Sequence, residues 1–125
     1  MKKTIITIIA VVILLTVGAV YENRFILNEF NDFDTSLSTL YSKIENQTAT
    51  DLDVYAVQSK WVEKKRHLHA FIPHNEIKEV DLWLAESVIY VKNKQWEEAL
   101  PKIEVLRELA EQIPITFSVR LENIL

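Results

Sequence analysis

The chain holds no cysteine, one glycine and three prolines among its 125 residues. Without cysteine it has no disulfide, no thiolate zinc centre, no cysteine nucleophile and no lipid attached through sulfur. A single glycine leaves no phosphate-cradling loop. So few glycines and prolines also argue against a turn-rich β-sandwich and against a disordered, low-complexity chain. What the sequence has in quantity is apolar residues, 49% of the total, which suits one small domain.

Those apolar residues are concentrated at the amino end. Thr4 to Val20 is a run of 17 residues without a charge, preceded by Lys2 and Lys3 and followed by Tyr21, Glu22 and Arg24. As a helix this run spans about 25 Å, a little short of a ~30 Å hydrocarbon core, a deficit that lysine snorkelling and Tyr21 at the headgroups can meet. The two lysines place the amino end in the cytoplasm and the remainder outside. Val17-Gly18-Ala19 supplies small residues for a cleaved signal peptide, but an apolar core of 17 exceeds the usual ~7–15, which favours an uncleaved anchor. The division is therefore an anchor at 1–21 and an extracytoplasmic domain at 22–125. With Lys2 and Lys3 set aside, 12 basic residues face 18 acidic ones, a formal charge of −6, the wrong sign for a general nucleic-acid binder.

Helical periodicity dominates the rest. Ile26, Phe30, Phe33, Leu37, Leu40 and Ile44 recur at steps of four and three, a heptad seam. Nothing between Val20 and Phe25 breaks a helix, so one continuous helix, roughly 60 Å long with its membrane segment included, is expected to run through the membrane to about Glu45, working as a stalk. Its stripe needs a cover from this chain or from another copy. After a polar turn at Asn46 to Ala49, Thr50 and Asp53 resemble a capping box opening a second helix, with a stripe of Val54, Val57, Trp61 and Leu68 interrupted by Lys64. Pro73 ends it, and Asn75 is expected to cap a third helix carrying Ile77, Val80, Leu84, Val88 and Val91. A fourth runs from about Gln95 through Trp96, Ala99, Ile103, Leu106, Ala110 and Ile113, with a bend expected at Pro101. Residues 115–125 alternate like a strand, yet Phe117, Leu121 and Ile124 also form a helical stripe; a short separate terminal helix is favoured, because a lone strand has no partner. The fold class is all-α: a transmembrane helix continuing into an antiparallel helical bundle.

Several residue groups invite a functional reading. Trp83, Tyr90 and Ala99 stand at the spacing of a tetratricopeptide unit, giving a TPR-like αα-hairpin, although Glu86 and Ser87 replace the expected Leu and Gly and no second copy exists. His67, His69 and His74 cluster near the helix break with Glu63, but His67 and His69 point to opposite sides of a helix and no HExxH accompanies them. No metal site, cofactor site or catalytic residue is assigned. Lys60, Lys64, Lys65 and Arg66 form a basic cluster that either faces Glu104, Glu108 and Glu111, faces solvent, or meets anionic lipid or wall polymer. The block around His69, Phe71, Pro73, His74 and Asn75, with Trp83 nearby, carries more polar and aromatic residues than a helix break requires, which marks a candidate interaction corner. The competing reading has both imidazoles satisfying backbone groups at two helix ends.

The lysine-led anchor, the block from His69 to Ile77, Asp81-Leu82-Trp83-Leu84, Lys102-Ile103-Glu104-Val105-Leu106 and Leu121-Glu122-Asn123-Ile124 together resemble a domain-of-unknown-function family of short, amino-terminally anchored proteins of Gram-positive, clostridia-type bacteria. The resemblance implies an exported helical domain with no assigned activity. The expected function is that of a non-enzymatic, membrane-anchored interaction or accessory subunit. Its partners are membrane lipid through residues 4–20 and either another membrane protein or a second copy, with no nucleic acid and no small-molecule substrate. A binder of anionic lipid or wall polymer comes second and a metal-dependent enzyme third.

Overall fold

The structure, a computed structural model, describes residues 1–124. It is all-helical among those residues: α1 (Lys2–Glu45), α2 (Asp51–Leu68), α3 (His74–Lys92) and α4 (Trp96–Ile124).

The 44-residue α1 is unbroken from the amino end to Glu45, as the lack of any breaker after Val20 requires. Its two halves have different surroundings. Residues 4–18 are exposed on every face, whereas all six seam residues from Ile26 to Ile44 are buried. That seam is covered by this chain itself, chiefly by α4 and next by α2.

Interhelical pairs fix the topology. Asp32 and Lys60, then Lys43 and Asp53, set α2 antiparallel to α1. Asp81 with Lys65, and Tyr55 beneath Lys92, do the same for α2 and α3. Glu86 with Lys102 and Glu76 with Arg120 order α3 and α4, and Asp34 with Arg107 returns α4 to α1. The α1–α2 and α3–α4 turns therefore share the end far from the apolar segment, and the α2–α3 connection lies at the end near it.

The far end is closed by backbone geometry. Gln47 and Lys94 both adopt left-handed conformations, φ 58° and 56°. Each lets two amides turn back onto the preceding helix: Gln47 N–H to Ile44 O and Thr48 N–H to Lys43 O, then Lys94 N–H to Val91 O and Gln95 N–H to Tyr90 O. These bonds satisfy carbonyls that a helix end leaves free. Thr50 and Asp53 form the expected capping box, with the Thr50 amide donating to Asp53 Oδ2 at 2.8 Å and the Asp53 amide donating to Thr50 Oγ1 at 3.3 Å.

Two expectations are corrected. Asn75 does not cap α3, which starts one residue earlier at His74, with Pro73 at the cap position and no side-chain cap bond. The fourth helix runs through Pro101 as expected, and Pro101 is exposed, so the carbonyl it frees can reach water. Residues 115–124 are not a separate helix, since α4 runs through Pro114 as well, Leu125 lying outside the described residues. Proline inside a helix costs about 3 kcal/mol. Ala110, Ile113 and Phe117, buried around Pro114, offset that by burying a continuous stripe worth ~1.5–3 kcal/mol for each large side chain.

Candidate functional site

The corner between α2 and α3 is built around Phe71. Beyond the last turn of α2, the amides of Phe71 and Ile72 both donate to Leu68 O, at 3.0 and 2.9 Å. The extended backbone of Pro73 (ψ 143°) then redirects the chain into α3. This folds Ile72 into the core at 3% exposure and turns the half-buried Phe71 ring edge-on to Phe25 of α1 and Phe117 of α4, each at 6.3 Å between centroids. One loop aromatic thus ties the α2–α3 connection to α1 and α4. Arg120 reaches Glu76 at 3.6 Å on the same end.

His69 and His74 are both exposed and stack on each other, centroids 6.4 Å apart and planes 22° from parallel. They need no burial to be satisfied, and they present an imidazole pair to the outside. Among the described residues no three His, Asp or Glu side chains converge on a metal position. Asn75 is exposed. Trp83 does not join this corner: it lies nine residues along α3 from His74, about 13 Å at ~1.5 Å per residue. There its indole N–H donates to Glu79 at 3.0 Å, and the Lys102 ammonium lies 4.6 Å over its ring.

The basic cluster turns out to be directed inward and sideways. Lys64 is buried at 6% exposure, its ammonium 2.7 Å from Asp32 and 3.5 Å from Glu29. Lys60 donates to Ser36 Oγ at 3.0 Å and pairs with Asp32 at 3.3 Å. Lys65 pairs at 3.2 Å with Asp81, which also accepts the Trp61 indole N–H at 2.7 Å. The Lys64 hydrogen bond, against the opposing effect of desolvation, holds the Asp32 carboxyl below its ordinary pKa. Three of the four cations therefore fasten α2 to α1 and α3, and the fourth, Arg66, is exposed. Glu104, Glu108 and Glu111 are not their partners. These glutamates line a groove with Asn31, Asp34 and Arg107 on the α1–α4 side.

A second groove lies below the corner. It runs between Thr16, Ala19, Val20 and Asn23 of α1 and Ser118, Leu121 and Glu122 of α4. Sequence reading did not find it, nor the Phe25–Phe71–Phe117 contact. The available signal was the antiparallel register: once Asp34 meets Arg107, Phe117 must fall beside Phe25 and Leu121 beside Val20.

A family model described as a domain of unknown function (DUF4363) matches residues 20–124. No curated protein and no solved structure matches the chain.

Proposed function

We propose a function from the premise that this chain belongs to the family DUF4363, a domain of unknown function: it is a single-pass, membrane-anchored helical subunit whose head, outside the cytoplasmic membrane, engages another membrane protein or a second copy. One observation carries the reading. Residues 4–20 include eleven Ile, Leu and Val side chains, all of them exposed, in a helix segment of mean hydropathy 2.6. Leaving them in water costs roughly 15–30 kcal/mol at ~1.5–3 kcal/mol each, more than the ~5–15 kcal/mol that holds a domain together. A bilayer removes that cost, and Lys2 and Lys3 orient the segment with its amino end inside.

The head supports an interaction role more than a catalytic one. Several of its charged side chains, among them Lys60, Lys64, Lys65, Lys102 and Arg107, are paired across helix seams, and its exposed imidazole pair and Phe71 corner form a shaped surface at the end near the apolar segment. The antiparallel head, including the α3–α4 hairpin with Trp83, Tyr90 and Ala99 at TPR-like spacing, is read as ordinary helix packing in a single unit. Binding of anionic lipid or wall polymer through Lys60, Lys64, Lys65 and Arg66 is the lesser reading, because three of those charges are already neutralised by Asp32, Glu29 and Asp81.

A carboxyl-terminal alkaline phosphatase fusion tests the topology and is expected to be active; an inactive fusion beside a working cytoplasmic reporter overturns the orientation. Crosslinking in native membranes followed by mass spectrometry tests the role. The expected result is a membrane-protein or self-crosslink that His69→Gln with His74→Gln weakens without loss of thermal stability. A double variant that loses stability and keeps every crosslink makes the corner structural only.

A further inference from the structure

Below Phe71 the molecule thins from four helices to two. α2 has ended at Leu68 and α3 has not begun before His74, while α1 and α4 continue side by side. The buried stripe of α4 runs out of cover there: Phe117 is 7% exposed, Leu121, one turn on, is half-buried, and Ile124, seven residues after Phe117 on the same stripe, is 80% exposed. α1 behaves alike, with Ile26 fully buried and Ala19, seven residues earlier, only half-buried. The groove between Thr16, Ala19, Val20 and Asn23 on one side and Ser118, Leu121 and Glu122 on the other is the upper part of this uncovered recess.

The level of the recess identifies its occupant. The α4 residues lie beside Thr16 to Asn23, so the end of α4 overlaps the last turn of the uncharged segment. That segment is about 5 Å shorter than a ~30 Å hydrocarbon core, and at ~1.5 Å per residue the missing length is about three residues. With that deficit shared between the lysine end and the Tyr21 end, the outer boundary of the apolar layer falls at about Tyr21 to Asn23, above Leu121 and Ile124. Asn23 and Ser118 stand level at the rim, where headgroups begin; the apolar Ala19, Val20, Leu121 and Ile124 stand below it, where acyl chains begin, with the exposed Glu122 level with Ala19 at the edge of the groove. We infer that the last turn of α4 is a second membrane contact, a wedge seated in the outer leaflet, with the recess between it and α1 filled by a phospholipid acyl chain. This rests on residues 4–20 being the membrane anchor.

The absence of cysteine makes the test clean, because a single introduced cysteine offers one attachment point. Ile124→Cys, Val12→Cys and Leu52→Cys each carry an environment-sensitive fluorophore in the full chain, reconstituted into phosphatidylcholine and phosphatidylglycerol vesicles that contain nitroxide-bearing lipids. Leu52, 78% exposed at the far end of the head, is the water reference. The expected result is a blue shift at position 124 relative to position 52, with loss of intensity to nitroxides near the headgroup, while the label at position 12 loses intensity to nitroxides deep in the chains. Leu121→Cys repeats the measurement one turn higher and should agree. If the label at 124 behaves like that at 52 while that at 12 is quenched, the wedge is overturned and the anchor stands. If the label at 12 is not quenched either, the anchor reading itself fails. A blue shift at 124 without quenching by lipid means that protein covers the recess, which overturns the lipid occupant in favour of a second copy.

Discussion

The two ends of the head are closed by different means. At the far end, Gln47 and Lys94 turn the backbone onto itself, and the Thr50–Asp53 box caps the next helix. The closure is local, made by residues within a few positions of one another. At the near end no side chain caps α3, and closure depends on Phe71 meeting Phe25 and Phe117, which are 46 residues away in the chain on either side. Local closure gives a finished surface, whereas closure by distant rings leaves the underside of the corner open. The open side is the one that faces the apolar segment.

The largest test of this contrast is Phe71→Ala. Losing a half-buried ring and two edge contacts should cost about 2–3 kcal/mol, read as a lowered midpoint in thermal or denaturant unfolding of the full chain in detergent. A loss no larger than that of a far-end cap would show that Phe71 does not close the near end. Thr50→Ala should cost about 1 kcal/mol. Its effect depends on pH. The Asp53 carboxyl is held below its ordinary pKa first by the Lys43 hydrogen bond and then by the Thr50 amide. A lowered folded pKa means that its stabilisation is present at neutral pH and is lost as pH falls through the folded value, below the ordinary carboxylate value of about 4. Of the contacts to the carboxylate, Thr50→Ala removes only the hydroxyl bond to Asp53 Oδ2 at 3.0 Å, so the difference between parent and variant should shrink slightly in acid; a constant difference would mean that the hydroxyl adds nothing to the hold on the carboxylate.

Smaller effects sharpen the far end. Gln47→Gly and Lys94→Gly each place the residue that tolerates a left-handed backbone at a position already left-handed, and each should raise stability by about 0.5–1 kcal/mol. A loss of stability in either would mean that the side chain, not the backbone, holds the turn. Asn75→Ala is the smallest, within about 0.5 kcal/mol, because the side chain makes no cap; a drop near 1 kcal/mol would restore the cap expected from sequence.

What the sequence made legible follows the same division. The α1 seam from Ile26 to Ile44 and the Thr50–Asp53 box are patterns within one helix or one turn, and both are present as read. The near-end corner was located as a block, but its construction was not, since no spacing rule joins Phe25, Phe71 and Phe117. Lys64 reads as an interruption of an apolar stripe. It is a buried cation matched by Asp32 and Glu29, acids that belong to another helix and have meaning only after antiparallel packing. Pro114 reads as an end, because the apolar packing that offsets its cost is tertiary. The candidate sites fared likewise: the His69–His74 block was readable as polar and aromatic residues at a helix break, whereas whether its imidazoles met backbone groups or faced outward was not, and the pairing of Lys60, Lys64 and Lys65 depended on which helix faced which.

The unbroken course of α1 has a mechanical consequence. Between Gly18 and Glu45 the helix contains no proline, no further glycine and no break, so the apolar segment and the head form one stiff lever, which on the proposed topology pivots in the bilayer. The outer arm, from Glu22 to Glu45, is about 36 Å long at ~1.5 Å per residue. A bilayer that changes the tilt of the span by about 10°, within the range that thickness mismatch imposes, swings the far turns by about 6 Å. On the proposed topology, the position of Gln47 and Lys94 above the membrane becomes a readout of membrane thickness.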